Sequence, residues 1–474
     1  MQIENLTQSG GKPRSRDLVR GIAEAIARGR LKPGERLPPQ RDLAHSLGIA
    51  VGTVGRAYAE LESAGLIAAH VGRGTFVVGH ASRGGTGGSM PDTAGAEAGS
   101  AESEQARCEI DLLTYRVPIP ELPDLMAETL HEIADDGGER HLLDTSPAEG
   151  DARHRAAMSA WLKGHGLTVD PASIVLTNGG QHAAVAAIST ITHPGETIAT
   201  EELTDPRMKA VAGYLDRRLA GVPCDGDGMI PEALEALCRK RRIAAIYCTP
   251  RNQNPMNTTM PAARRIAIAD IAETHDLPIV ESDIYGTLCS DEDVPIAAIA
   301  PHRTHFLSSL GRIAGPGMKV GCLVSPPAHV VLSRQGVGMS TGTVTRLSAE
   351  IATRWIMNGR IGELAEWQRT DIRRRVALVQ GLPMLRNART GDMSAHIWLT
   401  LPHPWRSEEF IDGATAHGIA ISPTHNFAVG RLNAPHAVRL VISAPRTHGE
   451  LQSGLSRLER LLRTQPRPHG ATAA

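Results

Sequence analysis

Residues 80–109 read HASRGGTGGSMPDTAGAEAGSAESEQARCE, a run of Gly, Ser, Ala and acidic residues with hardly an apolar anchor. Such a stretch buries too little surface to offset the entropy of ordering, so a flexible linker is expected there. A linker in that place bars the chain from folding as one body. The 474 residues divide instead into a head, 1–79, and a body, 110–465. Each half needs its own core, and 41% hydrophobic with 21% charged residues suits globular domains. No apolar run reaches a membrane span, and MQIENLTQSGGKPRSR lacks the apolar core of a signal peptide, so a cytoplasmic protein is expected. The six cysteines are scattered, with no CxxC pair. Neither a metal site nor a disulfide framework is expected from them.

The net charge of −1 hides an uneven distribution: the head carries Arg14, Arg16, Arg20, Arg28, Arg30, Arg36, Arg41, Arg56 and Arg73. A local basic face is what phosphate contacts require. Apolar residues Leu18, Ile22, Ala25 and Ile26 recur at helical spacing over 17–27. LKPGERLPPQ reads as a turn broken at Pro33-Gly34. Pro39 suits the first position of a short helix through Leu47, and Gly48 ends it. A third helix is expected over 52–64, with Val54, Ala57, Tyr58 and Leu61 inward and Gly65 as its cap. Two short strands, 66–69 and 75–78, then flank a wing at 71–74. A helix, a tight turn and a second helix place the second helix in a major groove. The wing reaches an adjacent minor groove.

The segment LPPQRDLAHSLGIAVGTVGRAYAELESAGLIAAHVGRGTFV resembles the GntR-family winged helix along nearly its whole length. The resemblance implies DNA contacts by Arg41, Thr53, Arg73 and Gly74. One departure stands out. Where the family carries Ser or Thr followed by Arg, this chain has Ala50, Val51 and Gly52, and Gly55 also lacks a side chain. Arg56 is the candidate to compensate.

In the body, apolar strand-like runs at 174–177, 244–247, 278–281 and 305–308 alternate with helical patterns. This implies a mostly parallel sheet covered by helices. Strand candidates at 396–401 and 437–443 mark a smaller α+β part over about 370–465. Four patterns occur in order: SPAEG (146–150) with TNGGQ (177–181), TPRNQNP (249–255), ESDIY (281–285) and SSLGRIAGPGMKVG (308–321). A strand ending in small residues before a helix offers N–H groups to an anion. An Asp can pair with a protonated ring nitrogen, and a Tyr can serve a phenolic oxygen.

Together with Arg439, these patterns resemble the fold-type I aminotransferases. A GntR head on such a body resembles the MocR subfamily of transcription regulators. The fold class expected is therefore a winged helix-turn-helix (α+β) followed by an α/β fold-type I transferase-like domain with a smaller α+β C-terminal part. The resemblance implies pyridoxal 5'-phosphate (PLP) in the body, with Gly179, Gly180 and Gln181 on its phosphate. Asn254 and Tyr285 would take the ring oxygen, and Asp283 the ring nitrogen. Ser309, Arg312 and Lys319 complete the expected cofactor set. Arg439 would take an amino-acid carboxylate, which its guanidinium fork matches. The resemblance also implies a head-to-tail homodimer, each head over its partner's body, acting on operator DNA.

The mechanism turns on an exchange. PLP chemistry needs a lysine amine for the internal aldimine. Aligned on Pro316-Gly317, the lysine position holds Arg312, and the phosphate-binding Arg position holds Lys319. A guanidinium stays protonated and cannot form an aldimine. Thr145 also stands where the family has a Tyr. The reading is thus a regulator whose body senses a small molecule (an amino acid, an amine or a PLP-related ligand) without catalysis. The alternatives are a PLP-dependent aminotransferase that uses Lys319, and a DNA-binding scaffold that senses nothing.

Overall fold

The structure is a computed structural model. It describes residues 15–27, 30–31, 35–63, 67–70, 74–77, 108–137, 139–289, 294–391, 393–430 and 435–464. The chain divides into two compact units, Met1–Asp92 and Thr93–Ala474. That division falls within the stretch expected to be a linker, most of which lies outside the described residues. Cys108 and Glu109, counted with the linker from sequence, are part of the body, where Arg457 bonds Glu109.

In the head, α1 (Ser15–Ala27), α2 (Gln40–Ser46) and α3 (Val51–Ser63) precede a hairpin of β2 (Ile67–His70) and β3 (Gly74–Val77). Leu18, Ile22, Ala25, Val54, Ala57, Tyr58 and Leu61 are buried together, the inward set expected from helical spacing. Pro39 sits one residue earlier than expected, as the cap before α2. Gly48 closes that helix at φ +60°, where a side chain would be strained. Two expectations need correction. The segment read only as a turn contributes a strand, β1 (Arg36–Leu37), which pairs with β3. Gly74 starts β3 rather than lying in the wing turn.

The body is built on a seven-stranded sheet. Its strands are β5 (Ile174–Thr177), β6 (Thr197–Glu201), β7 (Arg218–Val222), β8 (Ala245–Cys248), β9 (Ile279–Ser282), β10 (Thr304–Ser309) and β11 (Gly321–Val324). They lie in the order β5-β11-β10-β9-β8-β6-β7. Only β11 runs antiparallel to its neighbours. Every residue of β8, β9 and β10 is buried, as a sheet covered on both faces requires. The helix after β5, α4 (Gly180–Ile191), is rich in Ala, and its buried Ala183, Ala186, Ala187 and Ile188 pack into one cluster with Val280, Leu307 and Leu323 of the sheet. A second helix, α5 (Pro206–Tyr214), follows β6, with Asp205 as its side-chain cap.

A smaller three-stranded sheet joins β12 (His396–Thr400), β14 (Ser422–Pro423) and β15 (Ala437–Val441) in the order β12-β15-β14. Beside it, β4 (Ile110–Asp111) pairs with β13 (Ile419–Ala420). The start of the body is thus woven into its C-terminal part, a link between distant segments that local patterns do not carry. No described helix is long and apolar enough to cross a membrane.

Candidate functional site

In a sheet of this kind ligands gather beyond the carboxyl ends of the parallel strands. The sequence-predicted site residues lie there. Gly179 follows β5, Asn254 follows β8, Tyr285 follows β9, and Arg312 follows β10. A cavity of about 110 Å³ is lined by Gly179, Gly180, Gln181, Arg207, Ser309, Arg312 and Lys319, among others. At one end is the first turn of α4. Gly179 has φ +84°, and its N–H is already used by the Thr177 carbonyl at 2.8 Å. The open donors are therefore the N–H groups of Gly180 and Gln181, which a helix start leaves unpaired. Gly321 lets β11 approach this turn. A Cβ on Gly321 would come within 2.7 Å of the Ser308 carbonyl and 3.0 Å of the Gly179 backbone. Ser309 Oγ donates to the Val320 carbonyl and accepts from Gly311 N. Lys319 is exposed, at φ +51°.

Two of the lining residues, Arg207 and Arg312, also belong to a cluster of side chains that meet around the Tyr285 hydroxyl. It receives Arg207 Nη2 at 2.8 Å, Arg312 Nη2 at 2.9 Å and Asn254 Nδ2 at 3.1 Å. Its own hydrogen goes to Asp205 Oδ2 at 3.1 Å. Asp205 also takes two bonds from the Arg207 guanidinium and one from Asn254. Burial opposes the charge of Asp205, but Arg207 outweighs it and holds the carboxyl far below the usual range. The Arg312 guanidinium lies 3.8 Å from the Tyr115 ring centroid and 4.5 Å from that of Tyr285. Tyr115 in turn donates to the Arg312 carbonyl. Burial pushes the Tyr115 hydroxyl up to about 12, which Arg312 partly opposes.

Arg439 bonds Asn254 Oδ1, the Leu113 carbonyl and Ser422 Oγ. Burial works against its charge, and so do Arg312 and Arg207. Its Nε is buried without a hydrogen-bond partner. Asp283 departs from expectation. Its carboxylate lies 3.6 Å from Arg251, both side chains almost fully buried. It also packs so closely on Gly286 that a Cβ there would sit 1.9 Å from Oδ1. The acid expected to serve a ring nitrogen already has a cation.

The sequence reading missed Asp205, Arg207 and Tyr115. The first two sit in Thr204-Asp205-Pro206-Arg207, a helix-start pattern of Asp capping before Pro that was there to be read. In the head, Arg41 and Arg56 are exposed, and neither makes an ion pair among the described residues. Thr53 is half-buried near the start of α3. A Cβ on Gly55 would lie 3.2 Å from Gln40 Oε1, so α2 and α3 meet closely there. Arg73 lies outside the described residues.

Comparison with known proteins agrees with this two-part layout. Residues 14–77 match the family of bacterial regulatory proteins, gntR family. Residues 111–458 match aminotransferase class I and II. An uncharacterized HTH-type transcriptional regulator of Bacillus subtilis, YdeF, is 28% identical over 95% of this chain and 95% of its own. The HTH-type pyridoxine biosynthesis transcriptional regulator PdxR of Corynebacterium glutamicum is 27% identical, over 69% of this chain and 70% of its own. Among solved structures, an archaeal alanine:glyoxylate aminotransferase superposes with a TM-score of 0.71 at 24% identity, covering 79% of this chain and 96% of that one. With the larger match spanning most of the body and a gntR-family domain ahead of it, the chain belongs to the class I and II aminotransferase family in its MocR-type regulator form.

Proposed function

We propose that the protein is a DNA-binding transcription regulator whose aminotransferase-like body senses a small molecule without catalysis. The observation that carries this reading is Arg312. It occupies the place after β10 where the family's chemistry needs a primary amine, and it is committed to Tyr285 and Tyr115. When bound in this fold, PLP supplies an electron sink for carbanions. Its phosphate fits the first turn of α4, Ser309 and Lys319. Its aldehyde does not fit, because Arg312 offers no nucleophile, while Asp283, the acid expected at the ring nitrogen, also faces Arg251. A PLP-related molecule held there is held without a covalent bond.

The enzyme reading rests on Lys319, which lines the same cavity and is the sole lysine beyond Lys240. Amino-group transfer that disappears in Lys319→Gln would favour it.

In the head, α3 is the groove-reading helix, and Arg41, Thr53, Arg56, Arg73 and Gly74 form the contact set. Ligand binding shifts operator occupancy by favouring one of two populations, a coupling of roughly 5- to 150-fold in such systems. Two copies act together. Arg346 ties the 141–146 segment to the helix it begins, and the exposed Leu143 and Leu347 are apolar side chains that a partner copy would cover. The test is operator binding by the full chain, with and without candidate amino acids, amines and PLP. A ligand-dependent change in affinity supports the reading. Full occupancy of the body with no effect on DNA would leave a scaffold.

A further inference from the structure

Around Tyr285 the polar groups do not balance. A phenol oxygen has two lone pairs, yet Arg207, Arg312 and Asn254 all point N–H groups at it within 3.1 Å. Two of those donors are like-charged guanidiniums. Asp205 neutralises Arg207, while Arg312 has no carboxylate within ion-pair distance among the described residues. Arg439 adds a third guanidinium, held by neutral acceptors alone. Asp283 cannot help, because Arg251 holds it. An anion placed between these guanidiniums would supply the counter-charge that Asp205 alone does not. The cavity that Arg207 and Arg312 line also takes in the first turn of α4 and Lys319. At about 110 Å³ it is far below the roughly 300 Å³ at which cofactor-sized sites begin.

We infer that the cleft takes a small two-headed anion. Its phosphoryl group sits on the α4 turn with Lys319, and its carboxylate lies between Arg207 and Arg312, where it relieves the crowding on Tyr285. The ligand class is a short phosphorylated carboxylic acid with no aldehyde. This inference rests on the sensor reading and narrows its ligand.

The test uses the full chain and three probes: phosphoglycolate, which carries both groups, inorganic phosphate and glycolate. Calorimetry is expected to give phosphoglycolate at least about tenfold tighter binding than either single-headed probe. Arg312→Gln should reduce phosphoglycolate to the level of phosphate, and Arg312→Lys, which keeps the charge, should retain most of the difference. Lys319→Gln should weaken phosphoglycolate and phosphate alike. Circular dichroism of each variant separates lost binding from lost folding. Equal binding of phosphoglycolate and phosphate, or an Arg312→Gln variant that binds like the parent, would overturn the inference. Should an amine or amino acid without a phosphoryl group shift operator binding while phosphoglycolate fails to bind, this inference falls and the sensor reading stands. Failure of every small molecule to bind would remove both.

Discussion

The two ends of the cleft are made of different material. The α4 end is backbone: open N–H groups in a helical first turn, packed against a strand that only Gly321 lets come so near. The Tyr285 end is made of long side chains from four separate segments, with Arg207 of α5, Arg312 and Asn254 sharing one oxygen. A backbone site persists through changes of sequence because almost any residue supplies an N–H. A side-chain site can be rewritten by a single substitution. On the reading proposed above, a catalytic fold becomes a receptor when the anion cradle remains and one position, Arg312, removes the chemistry.

If the α4 end depends on backbone approach, Gly321→Ala should be the most damaging change in the cleft. The added Cβ meets the Ser308 carbonyl and the Gly179 backbone, neither of which is a flexible side-chain end. A loss of about 1–3 kcal/mol is expected in urea unfolding, with phosphate binding lost in parallel. An Ala variant as stable as the parent would show that the two backbones are not in contact.

At the side-chain end, Asp205→Asn should remove roughly 1 kcal/mol. The figure is held down because the Arg207 side chain is 40% exposed and water screens the pair. The contrast extends to pH. Asp205 keeps its charge because Arg207 faces it, so its folded value is depressed. Its stabilisation is present above about pH 4, the unfolded value, and is lost as pH falls below that. Glu201, only four residues earlier, accepts from Thr249 N, and burial pushes it up to about 7. Glu281, capping Ile296 and Ala297, is also raised to about 7 by burial. For these two the sign reverses. Their contribution is full below roughly pH 4.3 and is lost as pH rises to about 7. Urea midpoints from pH 3 to 8 should show Glu201→Gln flattening the upper limb and Asp205→Asn the lower one. Identical profiles in both variants would contradict these assignments.

Smaller still is the expected effect of Arg41→Ala in the head. Folding should be unchanged within about 0.5 kcal/mol. The salt dependence of DNA binding should fall by roughly one ion, with weakening that is uniform across sequences.

Much of this was legible in the sequence. The inward face of α3 and four of the seven main-sheet strands, β5, β8, β9 and β10, were placed to within about one residue, because period and burial act locally; β6, β7 and β11 were not placed. Asn254, Tyr285, Arg312 and Lys319 were found through strand-end motifs. What escaped was the partnering. Arg251 lies inside the quoted motif TPRNQNP, yet nothing local says that it closes on Asp283 across 32 positions of chain. Asp205 and Arg207 reach Tyr285 from 80 and 78 residues away. The strand β1 was hidden because a two-residue pairing to β3 has no period of its own.

On the proposed reading, Arg312 has ended covalent cofactor chemistry in this cleft. The decisive measurement is to add PLP to the full chain, reduce with borohydride, and locate labelled lysines by peptide mass. The expected result is no saturable, stoichiometric label on Lys319. A stoichiometric label on Lys319 of the unaltered protein would contradict the account and return the cleft to enzyme chemistry.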